Sequence, residues 1–446
     1  MIRFTHAVRP VAILAALSSP LIAQQRPAIR QLGAVTAKST ETFNNIASVR
    51  ALSNGSVLVN DVQGRRVLLF DPALSKFTIV ADSTSATANA YGGRQGALVA
   101  YRGDSSIFAD PSSVSMLVID PAGKVTRVVA IPRAEDANTI GSPVGNASFD
   151  ASGRLVYRAG LRFGGPGGGG TRTIIAGPGG GGANAIPQFP EPPDSALIVR
   201  VDLATRKLDT VGVIRTPKIK LETRTDERGG ISISSLINPL PVVDDWTITS
   251  DGAIAFVRGK DYHVDFVNPD GTRVSAAKIP FDWQRMTDED KVAFIDSVKA
   301  ARERLGANAP TPLTGAPPAG GGGSSPNVQI FIGPGGPGGG PGGGARPGIG
   351  APQFNFIPAN ELPDYKPPFF AGSVRADTEG NIWVRTIPTA AIAGGPVYDV
   401  INRKGELVER VQVPANHTIV GFGPNNSVFL LNRDGTTATL EKATVR

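Results

Sequence analysis

Asp261, His263 and Asp265 alternate along the chain, so on an extended strand they would share one face at a spacing suited to metal ligands. Tyr262, Val264 and Phe266 would form the opposite, apolar face, and an ordinary amphipathic strand explains the whole pattern. A second set consists of Asn45, Arg94, Asn146, Asp244 with Asp245, Phe370 and His417, each placed just ahead of one of the repeated segments described below. Beyond His6, only His263 and His417 are histidines, which removes multi-histidine metal sites. Cysteine is absent, so thiolate sites, thiol nucleophiles and disulfides are excluded. There is no Gly-x-Ser-x-Gly elbow and no His-Glu-x-x-His, and the glycine runs lack the Lys-Ser/Thr of a phosphate-cradling loop.

The elements that must position these residues are hairpins. In Ser373–Thr386, Val374, Ala376, Ile382 and Val384 alternate with polar residues around the turn Asp377–Asn381. The same unit recurs at Ser48–Val59, Leu98–Asp110, Ser148–Arg158, Trp246–Arg258 and Ile419–Leu431, six copies in all. Their first turns carry Gly55, Gly103, Gly153, Gly252, Gly380 and, in the last, Asn426. Three of the intervals are nearly equal and two are inflated. Further alternating segments follow most hairpins, and four antiparallel strands per unit make one blade of a β-propeller. The expected fold is all-β, a six-bladed β-propeller over residues 24–446. The last unit supplies three strands, and the isolated strand Pro27–Ala37, around Ile29, is expected to provide the fourth beside Thr437–Lys442 and close the ring.

Two insertions explain the inflated intervals, a Gly/Pro-rich one at 160–195 within the third blade and one at 281–370 between the fourth and fifth. The second begins with a helix: Thr287 and Asp290 read as a capping box, and Val292, Ile295, Val298 and Leu305 share a face before Gly306. Its continuation, Pro317–Gly350, is expected to be disordered because Gly and Pro bury too little apolar surface to offset their ordering entropy. Residues 1–23 have the order of a secretory signal peptide, with Arg3 and Arg9, an apolar run Val11–Leu17 and the small-residue exit at Ala23. Export to the periplasm or outside the cell is therefore expected, with no membrane span after signal removal. The formal net charge is +7, two of it in the leader, and the basic residues are scattered, which argues against nucleic acid as a partner.

The pattern Asp377-x-x-Gly380-Asn381-x-Trp383-Val384, with the turns Asp120-Pro-Ala-Gly123, Asn268-Pro-Asp-Gly271 and Asn402-Arg-Lys-Gly405, resembles the six-bladed β-propellers of the broad NHL/TolB-like group, especially secreted bacterial members. The resemblance implies binding or scaffolding, as in many members, or the metal-dependent lactonase, esterase or lyase activity of some subgroups. Lactonase-like members hold a divalent cation at the channel mouth with a Glu and several Asn/Asp. Asn146 and Asp245 match that set in kind, whereas Asn44-Asn45 stands where a carboxylate belongs, so Ca²⁺ would be held weakly.

In such a ring the residues leading into each innermost strand converge at one end of the central channel, which makes Asn45, Arg94, Asn146, Asp244, Asp245, Phe370 and His417 the expected binding site. The leading expectation is an exported, monomeric binding or scaffold propeller, without a cofactor, that holds a peptide, glycan or protein partner at the channel mouth and inserts. The alternative is a metal-dependent lactonase- or esterase-type hydrolase at the same mouth. Trp283 and Phe369-Phe370, flanking the larger insert, are candidate contact aromatics, while Trp383 is expected in the core between blades.

Overall fold

Period-two alternation of apolar residues with polar, glycine-bearing turns builds antiparallel meanders throughout the chain. A computed structural model describes residues 26–84, 91–92, 96–141, 146–160, 193–225, 231–305, 330–332, 355–390, 392–434 and 437–445. The expected signal peptide at 1–23, the glycine-rich run of the third unit and the stretch Pro317–Gly350 fall outside these residues, except for Ile330–Ile332.

Six sheets each follow one sequence unit. The first is Ile46–Ala51, Val57–Asp61, Arg66–Phe70 and Phe77–Asp82, and the second is Ala97–Ala100, Ser106–Asp110, Ser115–Ile119 and Val125–Ala130. The third, Ser148–Phe149, Leu155–Arg158, Ser195–Val201 and Leu208–Arg215, takes its insertion between its second and third strands. The fourth is Asp245–Ile248, Ile254–Arg258, His263–Val267 and a short Arg273–Ser275. Phe369–Ala376, Ile382–Thr386, Val397–Ile401 and Leu407–Gln412 make the fifth, and His417–Gly423, Ser427–Asp434 and Thr437–Thr444 begin the sixth. All of the sheets are open. First-turn residues Gly55, Gly103, Gly153, Gly252 and Gly380 all have positive φ, and Asn426 adopts +55°. At Gly252, φ is +82° and an added Cβ would lie 2.5 Å from the Ala151 nitrogen, so only glycine fits.

The first strands of neighbouring units pack on one another: Ile46–Ala51 against both Ala97–Ala100 and His417–Gly423, and Asp245–Ile248 against Phe369–Ala376. Apolar side chains then fill the spaces between sheets. Trp246 lies with Val156, Ile198 and Phe256, and Trp383 packs with Tyr398, Val428 and Leu430 as expected for core. Each such side chain removed from water contributes about 1.5–3 kcal/mol.

The beginning of the chain departs from expectation. Instead of one strand there are two, separated by Leu32–Ala34. Ile29–Gln31 runs parallel to Arg410–Gln412 at the edge of the fifth sheet, so Ile29 does not lie beside Thr437–Lys442. The next strand, Val35–Phe43, takes that place, pairing antiparallel with Thr437–Thr444 from Val35 opposite Ala443 to Phe43 opposite Ala438. The physical reason is burial. Phe43 is 1% exposed among Phe70, Leu68 and Leu440, a site that Ile29, 36% exposed, does not occupy.

An accessory sheet is the second departure. Lys220–Thr225 and Ile231–Ile237 form a hairpin that pairs with Ile330–Ile332 and Asn355–Phe356 from the larger insert. The insert helix spans Asp288–Leu305, and its first turn is capped reciprocally by Thr287 and Asp290 at 3.0 and 3.2 Å. Its buried apolar residue among those described is Ile295, packed with Leu240, Met286, Ile357 and Leu362, whereas Val292 faces solvent. Among the described residues, no helix is long and apolar enough to cross a membrane.

Candidate channel-mouth site

Strand direction places the residues ahead of each first strand at one end of the sheets, but the local contacts divide them. Asn146 and Asp245 meet on the fifth sheet. Asp245, fully buried, accepts the Val374 N–H at 3.1 Å and its neighbour Trp246 N–H at 2.9 Å. Asn146 donates to the Val374 carbonyl at 3.2 Å and accepts from Arg375 Nη1 at 3.3 Å. One residue of the strand Phe369–Ala376, through its N–H and C=O, thus gathers residues that lead into the third and fourth sheets.

Two arginines supply the charge that balances Asp245. Burial pushes the guanidinium of Arg158 below its ordinary value while Asp245 opposes the shift, and Arg375 is likewise lowered by burial and supported by Tyr398 and Asp245. Arg158 ends the second strand of its hairpin, and Arg375 lies within the first strand of its own. These three described side chains comprise two guanidinium groups and one carboxylate, and both oxygens of that carboxylate already accept backbone hydrogen bonds. A divalent cation requires the reverse, several oxygen donors with excess negative charge.

The other expected residues sit apart. Asn45 is buried at the start of the first sheet, its N–H donated to Asp61 Oδ1 at 3.1 Å. Its side-chain oxygen and nitrogen have no partner among the described residues. Asp244 does not join its neighbour: it binds Arg258 at 2.9 Å and accepts from the Arg215 and Gly259 amides, tying the fourth sheet to the end of the third. His417 is bracketed by the Ala415 carbonyl at 2.7 Å and Glu441 Oε2 at 2.9 Å within the sixth sheet. Burial raises the Glu441 carboxyl, but Asn432, His417 and Lys38 outweigh it and hold the group below the usual range. Phe370 is half-buried against the core beneath the insert helix. Arg94 lies outside the described residues.

The alternating set at Asp261–Asp265 belongs to the turn into, and the start of, an amphipathic inner strand, His263–Val267, paired on both sides. Tyr262 and Val264 are fully buried and Phe266 nearly so, while His263 Nδ1 and Nε2 face Asp261 and Asp265 at 2.8 and 3.2 Å. Asp265 also accepts from Arg258 and Ser275. Trp283 is 40% exposed and stacks edge-on against Phe281 at 5.2 Å. Among the described residues no group of three or more His, Asp or Glu could hold a metal ion.

Sequence reading missed Arg158 and Arg375. For Arg375 the signal was present, because Ser48-Val-Arg-Ala51 and Ser373-Val-Arg-Ala376 repeat the same four residues, and a partly buried arginine in a first strand is costly unless it meets an acid; Arg158, ending a second strand, carried no such signal.

No protein-family model matches the chain, and no curated protein matches it. Solved structures that are similar to it include the gluconolactonase XC5397 of Xanthomonas campestris, at 11% identity and TM-score 0.35, over 94% of this chain and 97% of that one. A calcium-binding regucalcin of Agrobacterium tumefaciens gives 12% and 0.35 over 93% and 97%, and TolB of Acinetobacter baumannii 9% and 0.31 over 90% and 63%. All three are β-propeller proteins, and no activity is inferred from likeness at this level.

Proposed function

We propose that this chain is an exported, monomeric six-bladed β-propeller, its ring closed by Val35–Phe43, that serves as a binding module for an acidic peptide, glycan or protein partner at the channel mouth. The reading rests on the state of Asp245, whose oxygens are taken by backbone amides and whose charge is offset by Arg158 and Arg375. A mouth with surplus guanidinium attracts carboxylates and sulfates, because charge-assisted hydrogen bonds are about twice as strong as neutral ones. Residues 1–23 would be removed on export to the periplasm or beyond, and the inserts at 160–195 and 281–370 would border the bound partner. The test is binding of purified protein to acidic and basic peptides and to uronate-containing and neutral glycans, with Arg375→Gln alongside. Retention of acidic ligands, weakened about tenfold in the variant, is expected. Equal binding of neutral ligands, or an unchanged Arg375→Gln, would contradict the reading.

One observation favours the rival, a metal-dependent lactonase or esterase. The buried Asn45 side chain has an oxygen without a partner among the described residues, the kind of donor a cation uses. Against it, the neighbouring carboxylate, Asp61, is already held by Arg66 at 3.0 Å and by the Gly64 amide.

A further inference from the structure

A second cluster of arginines lies around a cavity of about 340 Å³ at the same end of the fifth sheet. Arg385 comes from the end of that sheet's second strand and Arg410 from its fourth, while Gly394 and Gly395 belong to the loop between the second and third strands. Gln412 holds this loop in place by donating from one nitrogen to the carbonyls of Ala393 and Gly395, at 2.9 and 3.1 Å. The third arginine is delivered from far away in sequence. The parallel pairing of Ile29 with Arg410 brings the start of the described chain to this edge, and Arg26 lines the cavity from there.

The charges do not cancel. Arg26 is paired with the exposed Asp282 and lies over the Phe281 ring at 5.5 Å. Arg410 Nε reaches Asp399 at 3.3 Å, but Asp399 is fully buried and also accepts the Tyr262 hydroxyl at 3.0 Å. Among the described residues no carboxylate pairs with Arg385. Burial lowers the Arg385 guanidinium from its ordinary value and raises the Asp399 carboxyl, so the cavity wall holds a desolvated positive charge and a carboxylate that ionises reluctantly.

We propose that this cavity is a binding site for a small oxyanion, a carboxylate or phosphate group, held by Arg385 with Arg410 and Arg26. Guanidinium forks fit both groups in the same bidentate way, so inorganic phosphate and succinate are the two probes. The experiment is calorimetric titration of the full chain with each, at matched ionic strength in chloride, comparing wild type, Arg385→Gln, Arg385→Lys and the distant, exposed Arg127→Gln. Saturable binding of at least one probe is expected, and which one binds identifies the group. Affinity should fall about tenfold in Arg385→Gln, partly recover in Arg385→Lys and stay unchanged in Arg127→Gln. Should Arg385→Gln not fold, Arg26→Gln takes its place with an expected loss of about threefold. No saturable binding of either probe up to about 10 mM, or a folded Arg385 or Arg26 variant with unaltered affinity, would overturn the proposal.

Discussion

Asp245→Ala should lose about 3–5 kcal/mol of stability, because it removes the acid that two desolvated arginines require. The substitution also leaves the Val374 and Trp246 amides, both on buried residues, without the acceptor they use. Asp245→Asn keeps one acceptor oxygen and should lose less. Adding Arg375→Met to Asp245→Ala should restore part of the loss, since the uncompensated charge is then gone, and the double variant should fall short of the sum of the singles. Equilibrium urea unfolding of five proteins, wild type, Asp245→Ala, Asp245→Asn, Arg375→Met and the double variant, measures this. If Asp245→Ala is as stable as wild type, the carboxylate is not balancing charge, and the argument for a cationic channel mouth fails with it.

Removing the strand Val35–Phe43 should prevent a stable folded monomer from forming. Without it, Thr437–Thr444 becomes a bare edge, the Leu440 amide loses its hydrogen bond to Ser39 Oγ at 3.0 Å, and Leu440, Leu68 and Phe70 lose Phe43. Phe43→Ala alone should cost about 3–5 kcal/mol, the usual penalty for emptying a buried aromatic site. A chain beginning at Asn44 should therefore aggregate or elute as an expanded species, and a synthetic peptide covering 34–44 should restore part of the folded fraction. A monomer from that chain with the wild-type melting temperature would show that the strand is dispensable.

Much of the strand pattern was legible because turn chemistry is local. A polar turn with glycine at positive φ leaves its mark within five residues, so Gly55, Gly103, Gly153, Gly252 and Gly380 identified their hairpins from sequence. Pairing between distant segments was less legible. Around Ile29, alternation predicted one strand where the chain forms two on different sheets, because the deciding contact is the pocket that Phe43 fills. The accessory hairpin Lys220–Ile237 was overlooked for a related reason. Alternation was there in Ile231-Ser-Ile-Ser234, but the excess spacing between Gly153 and Gly252 was attributed to glycine-rich sequence alone.

At the site, Asn146 and Asp245 were named from their place ahead of first strands, and the fold brings both to Val374. Asp244 and His417 were named by the same logic, but each is consumed by a partner close by, Arg258 and Glu441. Position in the repeat says where a side chain begins. It does not say which neighbour neutralises it, and that is set by side chains such as Arg158 and Arg375 that reach in from other strands.

The most direct test of a channel mouth built for anions is turnover of a lactone and ester panel, with and without chelator, on protein whose calcium content has been measured. The account predicts calcium well below one ion per chain and no turnover that the chelator removes. One tightly held calcium per chain, with hydrolysis abolished by chelation and restored by calcium, would contradict it.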